Sequence, residues 1–184
     1  MNIQQTDIAG VLVIEPKKFG DERGFFSETY RKEALAEVGF SGDFIQDNHA
    51  VSSQIFTVRG LHFQTEPFAQ DKLLRVTRGA ILDVAVDLRE TSPTFGQHVA
   101  VELSARNWRQ LLVPKGFAHG YQTLTEECEV LYKVTRYFAP QAEGGLLWND
   151  PALGIAWTEA DPAKVVVNNR DAAWPTLANL QHQF

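Results

Sequence analysis

Hydrophobic and polar residues alternate along much of the chain, which is the pattern of half-buried β-strands rather than of helices. Residues 58–64, Val-Arg-Gly-Leu-His-Phe-Gln, show this pattern most clearly. Because side chains alternate along a strand, its two predicted faces are Arg59, Leu61 and Phe63 against Gly60, His62 and Gln64. If the second face lines the interior of a barrel, a histidine and an amide project into that interior.

Turn residues separate further strand candidates at roughly 8–12-residue spacing. The predicted strands cover residues 11–15, 44–49, 56–63, 72–78, 80–88, 99–103, 108–113, 121–124 and 128–138. One helix is predicted near residues 29–38, where good helix formers are followed by Gly39. Two glycines and a charge cluster predict a loop at residues 19–26. Prolines make the tail from residue 149 irregular, with at most minor helical pieces.

Strands that follow one another without intervening helices exclude a parallel α/β architecture. The pattern therefore predicts an all-β protein, a double-sheet jelly-roll barrel with a short N-terminal helix. With 184 residues, the chain is expected to form one domain covering residues 1–184. The only cysteine, Cys128, excludes an internal disulfide framework and a metal site with several thiolates.

The net charge of −6 argues against broad nucleic-acid or acidic-membrane binding, which requires a basic face. It does not exclude one anionic ligand that is held by a few local arginines. The sequence has neither the long apolar run of a membrane span nor a basic segment followed by the apolar stretch of a secretory signal. A cytoplasmic location is therefore expected.

Residues 114–119 read Pro-x-Gly-x-x-His, which resembles the second motif of the cupin superfamily, a group of small double-stranded β-helix barrels. Metal-binding cupins carry His-x-His and then a glutamate in their first motif. By that resemblance, His62 is kept, Gln64 replaces the second histidine, and Lys72 replaces the glutamate. Because an ammonium repels a divalent cation, the resemblance implies a barrel cavity that binds no metal.

The residues predicted to face the interior are His62, Lys72, His119, Val130, Tyr132 and Val134. A histidine base, a lysine cation and a tyrosine acid are the groups that proton abstraction beside a carbonyl requires. A base and an acid on opposite walls would invert the carbon between them, although a lone tyrosine in an apolar strand is more often a packing residue. A neutral histidine base also needs an acceptor on its other ring nitrogen, and both Asp83 and Asp171 are candidates.

Six stretches, in order along the chain, resemble the dTDP-4-dehydrorhamnose 3,5-epimerase family. They are residues 19–26, 46–48, 59–64, 79–89, 114–120 and 148–151. Members of this family are homodimeric cupins that epimerise carbons 3 and 5 of dTDP-4-dehydro-6-deoxyglucose without a metal or nucleotide cofactor. The product leads to dTDP-L-rhamnose and then to polysaccharides such as O antigen.

The resemblance implies that His62 is the base, Tyr132 the acid, Asp171 the partner that orients His62, and Lys72 a contact of the sugar carbonyl. The positions that it implies for substrate binding are Arg23, Glu28, Gln46, Asp47, Asn48, Arg59, Lys72, His119, Phe138, Glu143 and Arg170. The guanidinium groups of Arg23 and Arg59 suit a diphosphate. Phe138 stands where the family usually has a tyrosine stacked on thymine, so the ring is kept and the hydroxyl is lost.

Two other classes of function stay open at this point. One is a related dTDP-sugar enzyme of the same fold that epimerises a single carbon or moves the ketone along the ring. The other is a cupin that binds ligands without catalysis or that uses a metal for oxygenation. The sequence also leaves open whether the loop at residues 19–26 serves its own cavity or that of a partner subunit.

Overall fold

The computed structural model describes residues 1–181 and 184, and its centre is formed by two facing antiparallel sheets. The strands are β1 (Asn2–Gln5), β2 (Leu12–Glu15), β3 (Lys18–Asp21), β4 (Gly24–Ser27), β5 (Gln46–Ser52), β6 (Val58–Gln64), β7 (Lys72–Arg78), β8 (Ala80–Asp87), β9 (His98–Ser104), β10 (Gln110–Val113), β11 (Phe117–Thr123), β12 (Cys128–Val134) and β13 (Glu143–Gly145). The first sheet has the order β1-β2-β10-β7-β12-β5, and the second has the order β13-β6-β11-β8-β9. This arrangement confirms the predicted jelly roll.

The main core lies between the two sheets, where apolar side chains of both inner faces interdigitate. This cluster contains Leu74, Val76 and Val130 from the first sheet and Ile81, Ala85 and Leu103 from the second. The outer face of the second sheet is buried as well, because the chain after β13 covers it with Trp148, Leu153 and Trp157. The second sheet is therefore held on both faces, and the polar side chains that it carries are rigidly placed.

The α-helix α1 (Lys32–Ala36) covers the outer face of the first sheet. Its Leu35 is fully buried against Leu12 and Leu73, and such burial contributes about 1.5–3 kcal/mol to a helix that is too short to be stable alone. The helix predicted at residues 29–38 is therefore too long. The backbone of Arg31 is extended, and the carbonyl of Thr29 accepts a hydrogen bond from the Gln110 amide at 2.8 Å instead of a helical one.

Residues 19–26, which were predicted as a loop, lie in a two-stranded hairpin formed by β3 and β4. Phe19 pairs with Phe26, and Asp21 pairs with Gly24 next to the turn. Gly24 has a φ of +129°, a conformation that a side chain would disfavour. Gly20 thus lies within β3 and Gly24 begins β4 directly after the turn. The charge cluster lies at the tip of the hairpin.

Several strand boundaries differ from the predicted ones because the pattern does not show where the backbone leaves the extended region. Phe56 and Trp108 have φ values of 58° and 62°, so β6 and β10 begin only at Val58 and Gln110. The strand predicted at residues 121–124 begins earlier, at Phe117, and takes in the Pro-x-Gly-x-x-His histidine. The strand predicted at residues 128–138 ends at Val134.

The two faces predicted for β6 are wrong at Arg59. His62 pairs with His119 of β11, and Arg59 pairs with Tyr121, so two residues of β6, Gly60 and Leu61, lie opposite the single residue Gly120 of β11. This bulge at Gly60 reverses the alternation, and Arg59 and His62 therefore face the same cavity. Only glycine fits there, since a Cβ on Gly60 would lie 2.7 Å from the Cα of Gly120.

The chain after β13 is irregular, as predicted, and contains the short 3₁₀ helices Pro151–Leu153, Asp171–Ala173 and Leu177–Asn179. This segment runs over the second sheet, where Val166 forms a β-bridge with Thr57. Further along, the carboxylate of Asp171 accepts a hydrogen bond from the backbone N–H of Gly60. Among the described residues, no helix is both long and apolar enough to cross a membrane.

Candidate active site

A cavity of about 440 Å³ lies between the two sheets and is lined by both of them. The first sheet contributes Gln46, Asn48, Lys72, Leu74, Tyr132 and Val134. The second sheet contributes Arg59, His62, Gln64, His119, Tyr121 and Glu143, and the remaining wall includes Phe138, Asn168, Arg170 and Asp171. The structure thus brings together most of the predicted site residues, with His62 and Tyr132 on opposite sheets.

Of the two acceptors left open for His62, the structure places Asp171 beside it. The Nε2 of His62 lies 2.8 Å from Oδ1 of Asp171, and Oδ2 of the same carboxylate accepts the N–H of Gly60 at 3.0 Å. Because an ionised carboxylate only accepts, Nε2 carries the proton and Nδ1 keeps the lone pair that a base needs. Burial raises the pKa of Asp171, but the hydrogen bonds from His62 and Gly60 and the charge of Arg170 outweigh it and hold the pKa below its ordinary value.

Asn168 and Trp174 support this pair and were not found by sequence reasoning. The side-chain oxygen of Asn168 accepts the backbone N–H of Asp171 at 2.7 Å, and the Trp174 ring meets the His62 ring edge-on with centroids 6.3 Å apart. Both residues lie in the irregular tail, where no periodicity shows which side chains fold back. Their closeness to Asp171 in the sequence was the only available signal.

Two tyrosines line the cavity, although the sequence indicated only Tyr132. Burial raises the pKa of Tyr132, and the charge of Arg59 opposes this effect. Tyr121 is only 5 % exposed, and its hydroxyl lies near the side chains of Ser52 and Arg59. Burial raises the pKa of Tyr121 to about 12. Its signal in the sequence is its position two residues after His119 on one strand.

Lys72 and a second histidine–aspartate pair extend along the cavity wall. His119 Nε2 lies 2.7 Å from Oδ1 of the fully buried Asp83, and burial lowers the pKa of His119, so its ring is neutral near pH 7. The Nζ of Lys72 lies 3.4 Å from the carbonyl oxygen of His62. Burial lowers the pKa of Lys72 to about 8, against the opposing charges of Asp83 and Glu143.

Gln64, at the position of a metal-ligating histidine in other cupins, ties down the loop that carries Phe138. Its amide nitrogen donates to the carbonyls of Phe68 and Tyr137 at 2.7 and 3.2 Å, and its oxygen accepts from the N–H of Ala139 at 2.8 Å. In the part of the chain that the structure describes, no three or more His, Cys, Asp or Glu side chains are grouped so that they could hold a metal ion.

Three predicted substrate contacts lie outside the cavity wall. The side chain of Arg23 is 83 % exposed and bonds to Asp21 in the β3–β4 hairpin, and Glu28 is also exposed. Asp47 lies on the opposite face of β5 from Gln46 and Asn48, and its carboxylate pairs with Lys133 at 2.7 Å. A role of these residues in binding stays a prediction.

The fold and the site define a cupin-type jelly roll with a histidine–aspartate pair on one wall and a tyrosine on the other. The family model described as dTDP-4-dehydrorhamnose 3,5-epimerase matches residues 5–179. The chain belongs to this family.

Individual relatives agree with this assignment. The dTDP-4-dehydrorhamnose 3,5-epimerase of Salmonella typhimurium is 51 % identical over 178 residues, which is 96 % of each chain. A crystal structure of the epimerase from Legionella pneumophila in complex with dTDP-4-keto-L-rhamnose has a TM-score of 0.92 and 42 % identity, covering 98 % of this chain and 94 % of that one. A 3'-monoepimerase from Streptomyces bikiniensis, in complex with dTDP-quinovose, has a TM-score of 0.86 and 34 % identity, covering 94 % and 86 %.

Proposed function

We propose that this protein is a dTDP-4-dehydrorhamnose 3,5-epimerase that converts dTDP-4-dehydro-6-deoxy-D-glucose into dTDP-4-dehydro-L-rhamnose. The observation that carries the proposal is the His62–Asp171 pair, which faces Tyr132 across one cavity. An imidazole with a free Nδ1 lone pair on one side and a phenol on the other is the arrangement needed to remove a proton from one face of a carbon and return it to the opposite face.

In the proposed mechanism, Nδ1 of His62 takes the proton from a carbon next to the ketone. The electrons of the C–H bond move to the carbonyl oxygen, where the Lys72 ammonium stabilises the enolate. Tyr132 then donates its phenolic proton to the other face of the carbon, and the resulting phenolate and imidazolium return to their starting states by exchange with solvent. Asp171 stays ionised, orients the ring and stabilises the imidazolium.

Deuterium labelling tests the proposed function. With dTDP-4-dehydro-6-deoxyglucose in deuterium oxide, we expect label at carbon 3 and at carbon 5, together with inversion at both. Label at neither carbon would overturn the proposal. Label at one carbon would favour the second candidate, a mono-epimerase, for which the missing hydroxyl at Phe138 on the cavity wall is the specific observation.

The charge of Lys72 predicts the pH dependence of proton abstraction. Since burial lowers its pKa to about 8, the ammonium is present below that pH and is lost above it, so the rate should fall as the pH rises through about 8. Lys72→Met should lower the rate by about 10²–10³ and remove this fall. Pre-steady-state deuterium exchange measures both effects, and a variant as fast as the wild type would show that another group stabilises the enolate.

We also propose a homodimer in which the β3–β4 hairpin of one protomer completes the cavity of its partner. Phe19, Phe25 and Phe26 are 53 %, 54 % and 70 % exposed, and such an apolar patch is typical of an interface. Arg23 and Glu28, both expected at the substrate, extend from the same region, outside the cavity wall of their own chain. A second copy both covers the aromatic rings and brings a guanidinium to the diphosphate.

Mixed dimers test this arrangement. Neither Arg23→Ala nor His62→Ala should be active alone, whereas refolding the two variants together should restore activity, because one site of each mixed dimer has both wild-type residues. Gel filtration at micromolar concentration should give a dimer. A monomer would contradict the proposal, and a dimer without restored activity would place each hairpin at its own cavity.

The interleaved strands of the two sheets share one core, which supports a single domain covering residues 1–184. A nucleotide-sugar substrate and a free, buried Cys128 fit a cytoplasmic location. The use of the product in O antigen or another polysaccharide stays a prediction, as does the absence of nucleic-acid partners.

A further inference from the structure

One oxygen of the Asp171 carboxylate is shared by two side chains. The Oδ1 atom lies 2.8 Å from Nε2 of His62 and 3.3 Å from Nε of Arg170. The same guanidinium donates from Nη1 to both carboxylate oxygens of Glu143 at 3.0 Å. Arg170 therefore joins the carboxylate that serves the proposed base to a second carboxylate on the cavity wall.

We propose that Arg170 is a positioning residue that links anion binding in the cavity to the strength of the hydrogen bond between Asp171 and His62. The inference rests on the proposed function, because the anion is the diphosphate of the nucleotide sugar. When a diphosphate draws the guanidinium towards itself, Arg170 releases Oδ1, and that oxygen then serves His62 alone. Binding of the nucleotide thereby strengthens the orientation of the base.

The two partners of this contact differ in their freedom to move. Asp171 is 1 % exposed, with its Oδ2 fixed by the N–H of Gly60 at 3.0 Å and its own N–H fixed by Asn168 at 2.7 Å. The Arg170 side chain is 52 % exposed, and among the described residues it bonds to these two carboxylates. A ligand that pulls on the guanidinium therefore moves Arg170 and leaves Asp171 in place.

Charge favours the exchange of partners. A diphosphate carries more charge than the Glu143 carboxylate and offers more acceptor oxygens in the fork geometry that a guanidinium prefers. Glu143 holds the guanidinium beside Asp171, since both of its carboxylate oxygens accept from Nη1. A diphosphate that arrives in the cavity therefore competes with the Glu143 and Asp171 carboxylates for this one guanidinium.

The lysine and the other arginine on the cavity wall have different partners. Arg59 donates to Ser52 Oγ and to the carbonyl of Val51, both at 3.0 Å, and Lys72 lies 3.4 Å from a carbonyl. These partners are neutral, and neither cation shares an acceptor with His62. Arg59 is thus suited to bind an anion without affecting His62, whereas a change in the position of Arg170 also changes the hydrogen bond between Asp171 and His62.

Nitrogen NMR of histidine labelled with ¹⁵N in the ring tests the coupling directly. In the wild type, saturating dTDP should shift the Nε2 resonance of His62, which is assigned by its loss in His62→Asn. In Arg170→Gln the resonance should already be shifted without ligand and should not move further with dTDP. This variant should bind dTDP about tenfold more weakly, so saturation is set from its own binding curve.

Two further variants complete the experiment. Arg170→Lys keeps the charge but replaces the two guanidinium nitrogens that contact Asp171 and Glu143 with a single nitrogen, so it should bind dTDP and show a smaller shift of His62. Arg78→Gln, which removes an exposed cation outside the cavity wall, should respond to dTDP as the wild type does.

An equal dTDP response in the wild type and in Arg170→Gln, or no response in the wild type, would overturn the inference. These measurements use dTDP alone and require no turnover. Failure of the proposed function would instead appear as the absence of deuterium label in the wild-type product, so the two failures are separate.

Discussion

Replacement of His62 by alanine is expected to abolish deuterium exchange at both carbon 3 and carbon 5. The His62 side chain is 25 % exposed on the cavity wall, and the ionised Asp171 carboxylate fixes a proton on its Nε2. The other histidine on the cavity wall, His119, is 6 % exposed and bonded through Nε2 to Asp83. Loss of a general base lowers a rate by about 10²–10⁴, and two such steps are affected here.

The exchange assay needs a control for folding and one for the loss of any histidine. Binding of dTDP to His62→Ala should stay close to that of the wild type, because the base contacts the sugar rather than the diphosphate. His49→Ala removes a half-exposed histidine that lies outside the cavity wall and should leave exchange unchanged. Ordinary turnover by His62→Ala would remove His62 as the base.

Replacement of Tyr132 by phenylalanine is expected to separate exchange from inversion. The ring and its packing against the core are kept, and the proton donor opposite His62 is lost. His62 can still remove a proton and return it to the same face, so deuterium should enter with retention of configuration. Inversion should fall by about 10²–10⁴, the usual contribution of one general acid.

Product stereochemistry, read by proton NMR of the sugar, measures this separation. Tyr137→Phe, which removes an exposed phenol outside the cavity wall, is the matched control and should behave as the wild type does. A large loss of dTDP affinity in Tyr132→Phe with normal inversion would show that this phenol binds the substrate and does not protonate it.

The two-sheet architecture could be predicted from the sequence because alternation is a local property of each strand. The position of Lys72 at a cupin ligand position and the inward direction of His62 followed from motif and pattern together. The direction of Arg59 could not be predicted, because the bulge at Gly60 depends on how β6 pairs with β11. Alternation within one strand contains no information about its partner.

The choice between Asp83 and Asp171 shows a second limit. From the residues alone both carboxylates were acceptable partners for His62, and only the resemblance favoured one. Asp171 lies 109 residues from His62 along the chain and arrives through an irregular tail, so no periodic signal brings the two together. Tyr121 was missed for a different reason, since an aromatic residue in an apolar strand is ordinarily part of the core.

The close contact between Gly60 and Gly120 couples the backbone of β6, which carries His62, to the backbone of β11, which carries His119. A Cβ on Gly60 would lie 2.7 Å from the Gly120 Cα, and one on Gly120 would lie 2.5 Å from the carbonyl of Arg59. A side chain at either glycine would push the two strands apart, and it would therefore change the orientation of both His62 and His119. Redesign of the enzyme for bulkier sugars should therefore keep both glycines and change the opposite wall of the cavity. Ala50 and Val134 lie on that wall, and neither carries a proposed catalytic group.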